Sequence, residues 1–182
     1  TEVDTLSLHD ALPICTDVLP TFRPDGLIDI EKDDFLDYLK RLSEITDIEI
    51  TDFESLKEAI GVRVDFFHTH GCRLSDHGLT HAFGESFTPD QINGILRLRL
   101  DGKSISKIEV TKYKSAIMHT LGEFYANKNW VMQLHLGPIR DTNQAVLSKI
   151  GINAGVDSIG DYQQAEQLRS EEHTSELQSP LD

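Results

Sequence analysis

Apolar residues along the chain alternate between short continuous runs and stripes at helical spacing. Val18 to Phe22 is a short, mostly apolar run closed by Arg23-Pro24-Asp25-Gly26, which predicts a strand ending in a loop. Phe35, Leu36, Leu39 and Leu42 then fall on one face of a helix. A second helix is predicted to begin at Thr51 or Asp52, to run through Leu56, Ile60, Val64 and Phe67, and to stop at Gly71, which suits a left-handed cap. Cys72 to Ser75 reads as a short strand, followed by Asp76-His77-Gly78. Thr88-Pro89-Asp90-Gln91 has the form of a capping box with proline at the first helical position, and opens a helix through Ile92, Ile95, Leu96 and Leu100. Val110, Tyr113, Ile117, Leu121 and Phe124 mark a long helix by spacings of three and four. Trp130 to Leu136 is largely apolar and predicts a strand buried on both faces. Asp141 is the expected cap of a helix through Val146 and Ile150 that stops at Gly151. Val156 to Ile159 reads as a last strand, and Asp161 as the cap of a final helix.

Strands that alternate with helices imply right-handed crossovers and a parallel sheet, an α/β fold. Polar residues gather after each predicted strand: Arg23 and Asp25, Asp76 and His77, His135 and Arg140, Asp157 and Asp161. In barrels and doubly wound sheets alike, chemistry sits beyond the carboxyl ends of parallel strands. No glycine-rich phosphate loop follows any strand, which weighs against a nucleotide-binding version.

Composition narrows the class. With 38% hydrophobic and 26% charged residues in 182, a folded core is expected. No apolar run approaches the roughly 20 residues a membrane helix needs. The 31 acidic residues outnumber the 17 basic ones, the opposite of a nucleic-acid-binding balance. Cys15 and Cys72 are too few for a disulfide scaffold, so a reducing, cytoplasmic compartment is the expectation.

The two ends read differently from the middle. Asp4 to Ile14 (DTLSLHDALPI) and Arg169 to Ser179 (RSEEHTSELQS) resemble translations of paired short-read sequencing adapters. Residues 1–15 and 169–182 are therefore expected to be adapter-derived, and 16–168 to be an internal piece of a longer reading frame.

Four segments in order carry a family resemblance: LPTFRPD (Leu19 to Asp25), HGCRLSDHG (His70 to Gly78), WVMQLHLGPIRDTN (Trp130 to Asn143) and GVDSIGD (Gly155 to Asp161). The chain resembles the uronate (glucuronate) isomerase family of the amidohydrolase superfamily. The resemblance implies a (β/α)8 barrel of which this chain holds roughly strands four to seven. It implies an aldose–ketose isomerase that interconverts glucuronate with fructuronate and galacturonate with tagaturonate. It also implies a divalent metal, zinc, held mainly by residues outside this chain, so that the chain alone is inactive and carries no metal ligand. His68-Thr69-His70 imitates the family's His-x-His metal pair, but it precedes a helix-ending glycine and is read as a coincidence. The alternatives are a metal-dependent hydrolase on the same barrel and a non-catalytic sugar-acid-binding barrel. The partner is a small hexuronate, with no nucleic acid and no membrane, and a homo-oligomer is left open.

Arg23 is the candidate clamp for the sugar's carboxylate, because a planar guanidinium grips a carboxylate with two hydrogen bonds. Its other reading is an ion pair with Asp25 or Asp29. His77 is the catalytic candidate, able to polarise a hydroxyl, shuttle a proton or ligate a metal; the other reading is a structural histidine. His135 and Arg140 are the further substrate-binding candidates. His135 is otherwise a satisfied core histidine, and Arg140 otherwise pairs with Asp141 or Asp157. Asp157 and Asp161 are read as loop-orienting residues, and His81, His119 and Cys72 as structural.

Overall fold

A computed structural model describes residues 18–152 and 155–165 of the chain. The elements are α1 (Asp25–Ile28), α2 (Phe35–Thr46), α3 (Phe53–Thr69), β1 (Leu74–Leu79), α4 (Pro89–Leu100), α5 (Lys107–Asn127), β2 (Val131–Leu136), β3 (Pro138–Ile139), α6 (Gln144–Ile150) and β4 (Ser158–Ile159). Three of the helices open on a reciprocal capping box. Asp52 accepts from the Ser55 N–H, Thr88 from Gln91 and Ser106 from Glu109, and each partner side chain bonds back to the cap residue's backbone. Pro89 occupies the first turn of α4, where a missing N–H costs nothing. Gly71 ends the α3 segment at φ 89°, a conformation in which a side chain is strained.

The centre of the sheet is the parallel pair β1 and β2, in register Asp76 to Gln133, His77 to Leu134 and Gly78 to His135. Phe22 adds a parallel bridge to Ser75 on the other edge of β1. One face of this sheet carries Ser75, His77 and Leu79, all buried, and Met132, Leu134 and Leu136, which pack against the core. That core is built from Leu56, Ile60 and Val64 of α3, Ile92 and Leu96 of α4, and Tyr113, Ile117, Leu121 and Tyr125 of α5. The opposite face carries Leu74, Asp76, Gly78, Val131, Gln133 and His135, and it is open.

Several expected elements take a different form. The run Val18 to Phe22 shrinks to the single bridge at Phe22; Pro20 has no N–H to give to a ladder. The strand expected over Cys72 to Ser75 lies instead at Leu74–Leu79, so Asp76, His77 and Gly78 are strand residues and not loop residues. β2 is covered on one face only, and Val131 is 67% exposed, because among the described residues nothing packs on its open face. The last strand is Ser158–Ile159 and pairs antiparallel with Pro138–Ile139, so it does not extend the parallel sheet. The chain turns into β3 at Gly137, φ 91°. Asn143, not Asp141, caps α6: its Oδ1 accepts from the N–H groups of Ala145 and Val146. Asp141 takes a left-handed backbone and donates its N–H to Asp157. Tyr162 to Gln164, just after Asp161, are not helical, and the rest of the predicted helix lies outside the described residues, as do both adapter-like flanks.

Candidate active site

Arg23 follows the Phe22 bridge and is placed beside β1. Its Nε donates to Asp25 Oδ2 at 2.9 Å and its Nη1 donates to Asp76 Oδ2 at 3.0 Å. The guanidinium remains about half exposed and keeps N–H groups free of these two bonds. The hydrogen bond to Asp25 outweighs desolvation and raises the arginine's pKa, so the group is a fixed cation. Gly78 makes this seat possible, since a β-carbon there would stand 2.7 Å from Arg23 Nη2. The ion-pair alternative read from the sequence, Arg23 with Asp25, is thus present together with an exposed remainder.

Asp25 opens α1 and points back over β1. Its Oδ2 also accepts the Gly78 N–H at 3.2 Å, and its Oδ1 lies 3.3 Å from His77 Nδ1. Burial alone would raise its pKa, but the donors His77, Arg23 and Gly78 together hold the carboxyl below its ordinary value. Asp76 bridges Arg23 to β2: His135 Nδ1 is 3.2 Å from Asp76 Oδ1. The histidine is not aligned for a hydrogen bond, and Asp76 Oδ1 is buried without a hydrogen-bond partner.

The four candidates therefore separate. Arg23 and His135 meet through Asp76 on the open sheet face. His135 and Arg140 line one hollow of about 300 Å³, with Asp157 and Ile159 on its other wall. Arg140 pairs with Asp157, the alternative weighed from the sequence, and the Asp141 N–H, followed by this arginine, lowers the Asp157 pKa. His77 faces the other way. It is fully buried among the helices, with Nε2 3.2 Å from the Tyr125 hydroxyl. His68 and His70 are engaged locally: Trp130 Nε1 donates to His68 Nδ1 at 2.9 Å, and His70 Nδ1 lies 2.7 Å from the Phe66 carbonyl.

Sequence reading did not single out Tyr125. Its signal was present, because 121 and 125 are one helical repeat apart, but Phe124 satisfies the same pattern. Asp25 and Asp76 stood out only as polar neighbours of strands. Among the described residues no group of three or more histidine, cysteine, aspartate or glutamate side chains is placed to hold a metal ion. The residues present thus do not by themselves fit the implied zinc.

Parallel strands joined by helices, with Arg23, Asp25, Asp76 and His135 gathered beside β1 and β2, define a mixed α/β fold. The chain belongs to the glucuronate isomerase family, whose model matches residues 1–178. It is 39% identical over 164 residues to uronate isomerase of Lachnospira eligens, an alignment covering 88% of this chain and 35% of that protein. It is 40% identical over 153 residues to uronate isomerase of Geobacillus thermodenitrificans, covering 84% and 33%. The crystal structure of uronate isomerase from Thermotoga maritima superposes with a TM-score of 0.77 at 26% identity, over 83% of this chain and 34% of that one. That of glucuronate isomerase from Caulobacter crescentus gives 0.74 at 21% identity, over 85% and 32%. The chain spans about a third of the length of the relatives it matches.

Proposed function

We propose that the protein of which this chain forms part is a cytoplasmic hexuronate isomerase, and that the chain supplies barrel strands four to seven and part of the sugar-acid site. The observation that carries this reading is the 39–40% identity to uronate isomerases across most of the chain. In the reaction a base removes the proton from C2 of the open-chain aldose while the C1 oxygen gains one, giving an enediol. The C2 hydroxyl then loses its proton as C1 is protonated, giving the ketose. Arg23 is the clamp for the distal carboxylate: its exposed N–H groups offer two parallel hydrogen bonds, and its position is set by Asp25 and Asp76. His135 lies on the same open face and is suited to bond a sugar hydroxyl, and Arg140 reaches the adjoining hollow. The divalent metal that the family implies has no ligand set among the described residues. Residues 1–15 and 169–182 are read as adapter-derived, and 16–168 as the family segment.

The test is to recover the genomic reading frame past both ends, express it, and assay glucuronate and galacturonate. Formation of fructuronate or tagaturonate is expected. Hydrolysis of an amide or ester without isomerisation would overturn the reading, as would hexuronate binding without turnover.

A further inference from the structure

We propose that Tyr125, His77 and Asp25 form a buried relay that holds the Arg23 guanidinium in one orientation, so that His77 is a positioning residue and not a proton-transfer group. The relay runs inward from the open face. Arg23 Nε donates to Asp25 Oδ2 at 2.9 Å, Asp25 Oδ1 lies 3.3 Å from His77 Nδ1, and His77 Nε2 lies 3.2 Å from the Tyr125 hydroxyl.

Proton counting fixes its polarity. An ionised aspartate only accepts, so Nδ1 of His77 carries the hydrogen and donates to Asp25. In the neutral imidazole Nε2 is the acceptor, and the tyrosine O–H donates to it. Burial raises the Tyr125 pKa and keeps that hydroxyl protonated. One imidazole tautomer satisfies both neighbours, and Ser75 is a second side-chain neighbour of the tyrosine hydroxyl.

The ring cannot leave this line to meet a ligand. His77 is 0% exposed and Tyr125 is 1% exposed. Tyr125 is itself clamped, its ring stacked on Trp130 at 5.6 Å between centroids and 16° between planes. A phenol fixed by aromatic packing thus sets the imidazole, the imidazole sets one oxygen of Asp25, and the other oxygen sets Arg23. Arginine is rotamer-rich, and an arginine anchored before a ligand arrives loses less freedom when it binds. The consequence for hexuronate binding rests on the carboxylate-clamp reading of Arg23; the relay does not.

The test uses the extended reading frame, 15N-labelled at histidine and arginine, in the wild type and in Tyr125→Phe, His77→Gln and Gly78→Ala. His77 is expected to show the Nδ1–H tautomer, and Tyr125→Phe is expected to keep that tautomer, since Asp25 still accepts from Nδ1, but to shift the His77 Nε2 resonance as its donor is lost and to speed solvent exchange of the Arg23 Nε–H about tenfold, the effect of one hydrogen bond. His77→Gln, whose amide can donate to Asp25 and accept from Tyr125, is expected to hold Arg23 Nε–H exchange near the wild-type rate and to retain both limbs of the pH profile. Gly78→Ala displaces the arginine directly, and is expected to raise KM while the His77 tautomer stays. An Nε2–H tautomer in the wild type, unchanged Arg23 exchange in Tyr125→Phe, or loss of kcat together with one limb of the pH profile in His77→Gln would each overturn the relay. Both nitrogen readouts need no turnover, so an inactive enzyme would sink the isomerase reading and leave them to decide this one.

Discussion

Arg23 is tied to two carboxylates through two different nitrogens, which makes its replacement by lysine a test of geometry and not of charge. An ammonium is a compact point charge and cannot donate along two fixed, diverging directions. In the extended enzyme Arg23→Lys is expected to raise KM for a hexuronate by about tenfold to a hundredfold, the loss of one or two hydrogen bonds to a charged group. kcat is expected to change less, because the clamp is remote from C1 and C2. Steady-state kinetics over a range of glucuronate concentrations would check this, and an unchanged KM would remove Arg23 from the site. The same cluster sets an acid limit on stability. Asp25 has its pKa lowered in the fold, so its contribution is present above the unfolded aspartate value of about 3.9 and is lost as pH falls through the lower folded value. Asp52, lowered first by the Ser55 N–H, and Glu109, lowered first by the Ser106 hydroxyl, act in the same direction. Thermal unfolding followed from pH 6 down to pH 2 should therefore show the melting temperature falling at the acid end, and Asp25→Asn should flatten part of that fall.

Helices were legible in the sequence because their signals are local. A capping side chain and its partner lie three residues apart, and a stripe of leucine, isoleucine and valine needs no knowledge of what packs on it. Thr88, Asp52 and Gly71 stand where the pattern puts them. Thr88→Ala and Ser106→Ala should each cost about 1 kcal/mol, the usual loss on removing an N-cap side chain. Gly71→Ala should cost more than either cap substitution. Beyond the strain of φ 89°, its β-carbon would stand 2.8 Å from Leu19 Cδ2. Chemical denaturation of the four proteins side by side gives the comparison. Strand positions were less legible because a strand is defined by its neighbour. Asp76, His77 and Gly78 look like a loop by composition, yet register against Gln133, Leu134 and His135 makes them strand. That shift of phase decides function. In a loop His77 could face a ligand, whereas in β1 it must alternate with Asp76 and turn into the helix layer. The antiparallel β3–β4 pair has the same origin, since two residues on each side carry no periodicity that could announce their direction.

At the scale of the whole molecule the core and the open sheet face pull in opposite directions. The helix layer is closed: Leu56, Ile60, Ile92, Leu96, Ile117 and Leu121 are all inaccessible to solvent. The other side of the sheet offers Leu74 and Val131 beside Asp76, Gln133 and His135, and among the described residues no strand pairs with the far edge of β2. Val18, Leu19, Ile139 and Ile159 add further exposed apolar surface. An unpaired edge templates pairing with another chain, and each large apolar side chain left in water forgoes roughly 1.5–3 kcal/mol of burial. Several such losses are comparable with the 5–15 kcal/mol that stabilises a typical domain. We therefore expect this chain alone to self-associate, to bind no stoichiometric zinc and to show no hexuronate isomerisation. Sedimentation velocity should find dimers or larger species at micromolar concentration. Val131→Lys, which places a charge on the open face beside that edge, should shift the distribution toward monomer without lowering helix content by circular dichroism. The extended reading frame should be the better-behaved protein, with a higher melting temperature than the chain alone. A monomeric chain that melts sharply and turns over glucuronate would mean that the open face needs no cover, and would overturn the placement of these strands as part of a larger barrel.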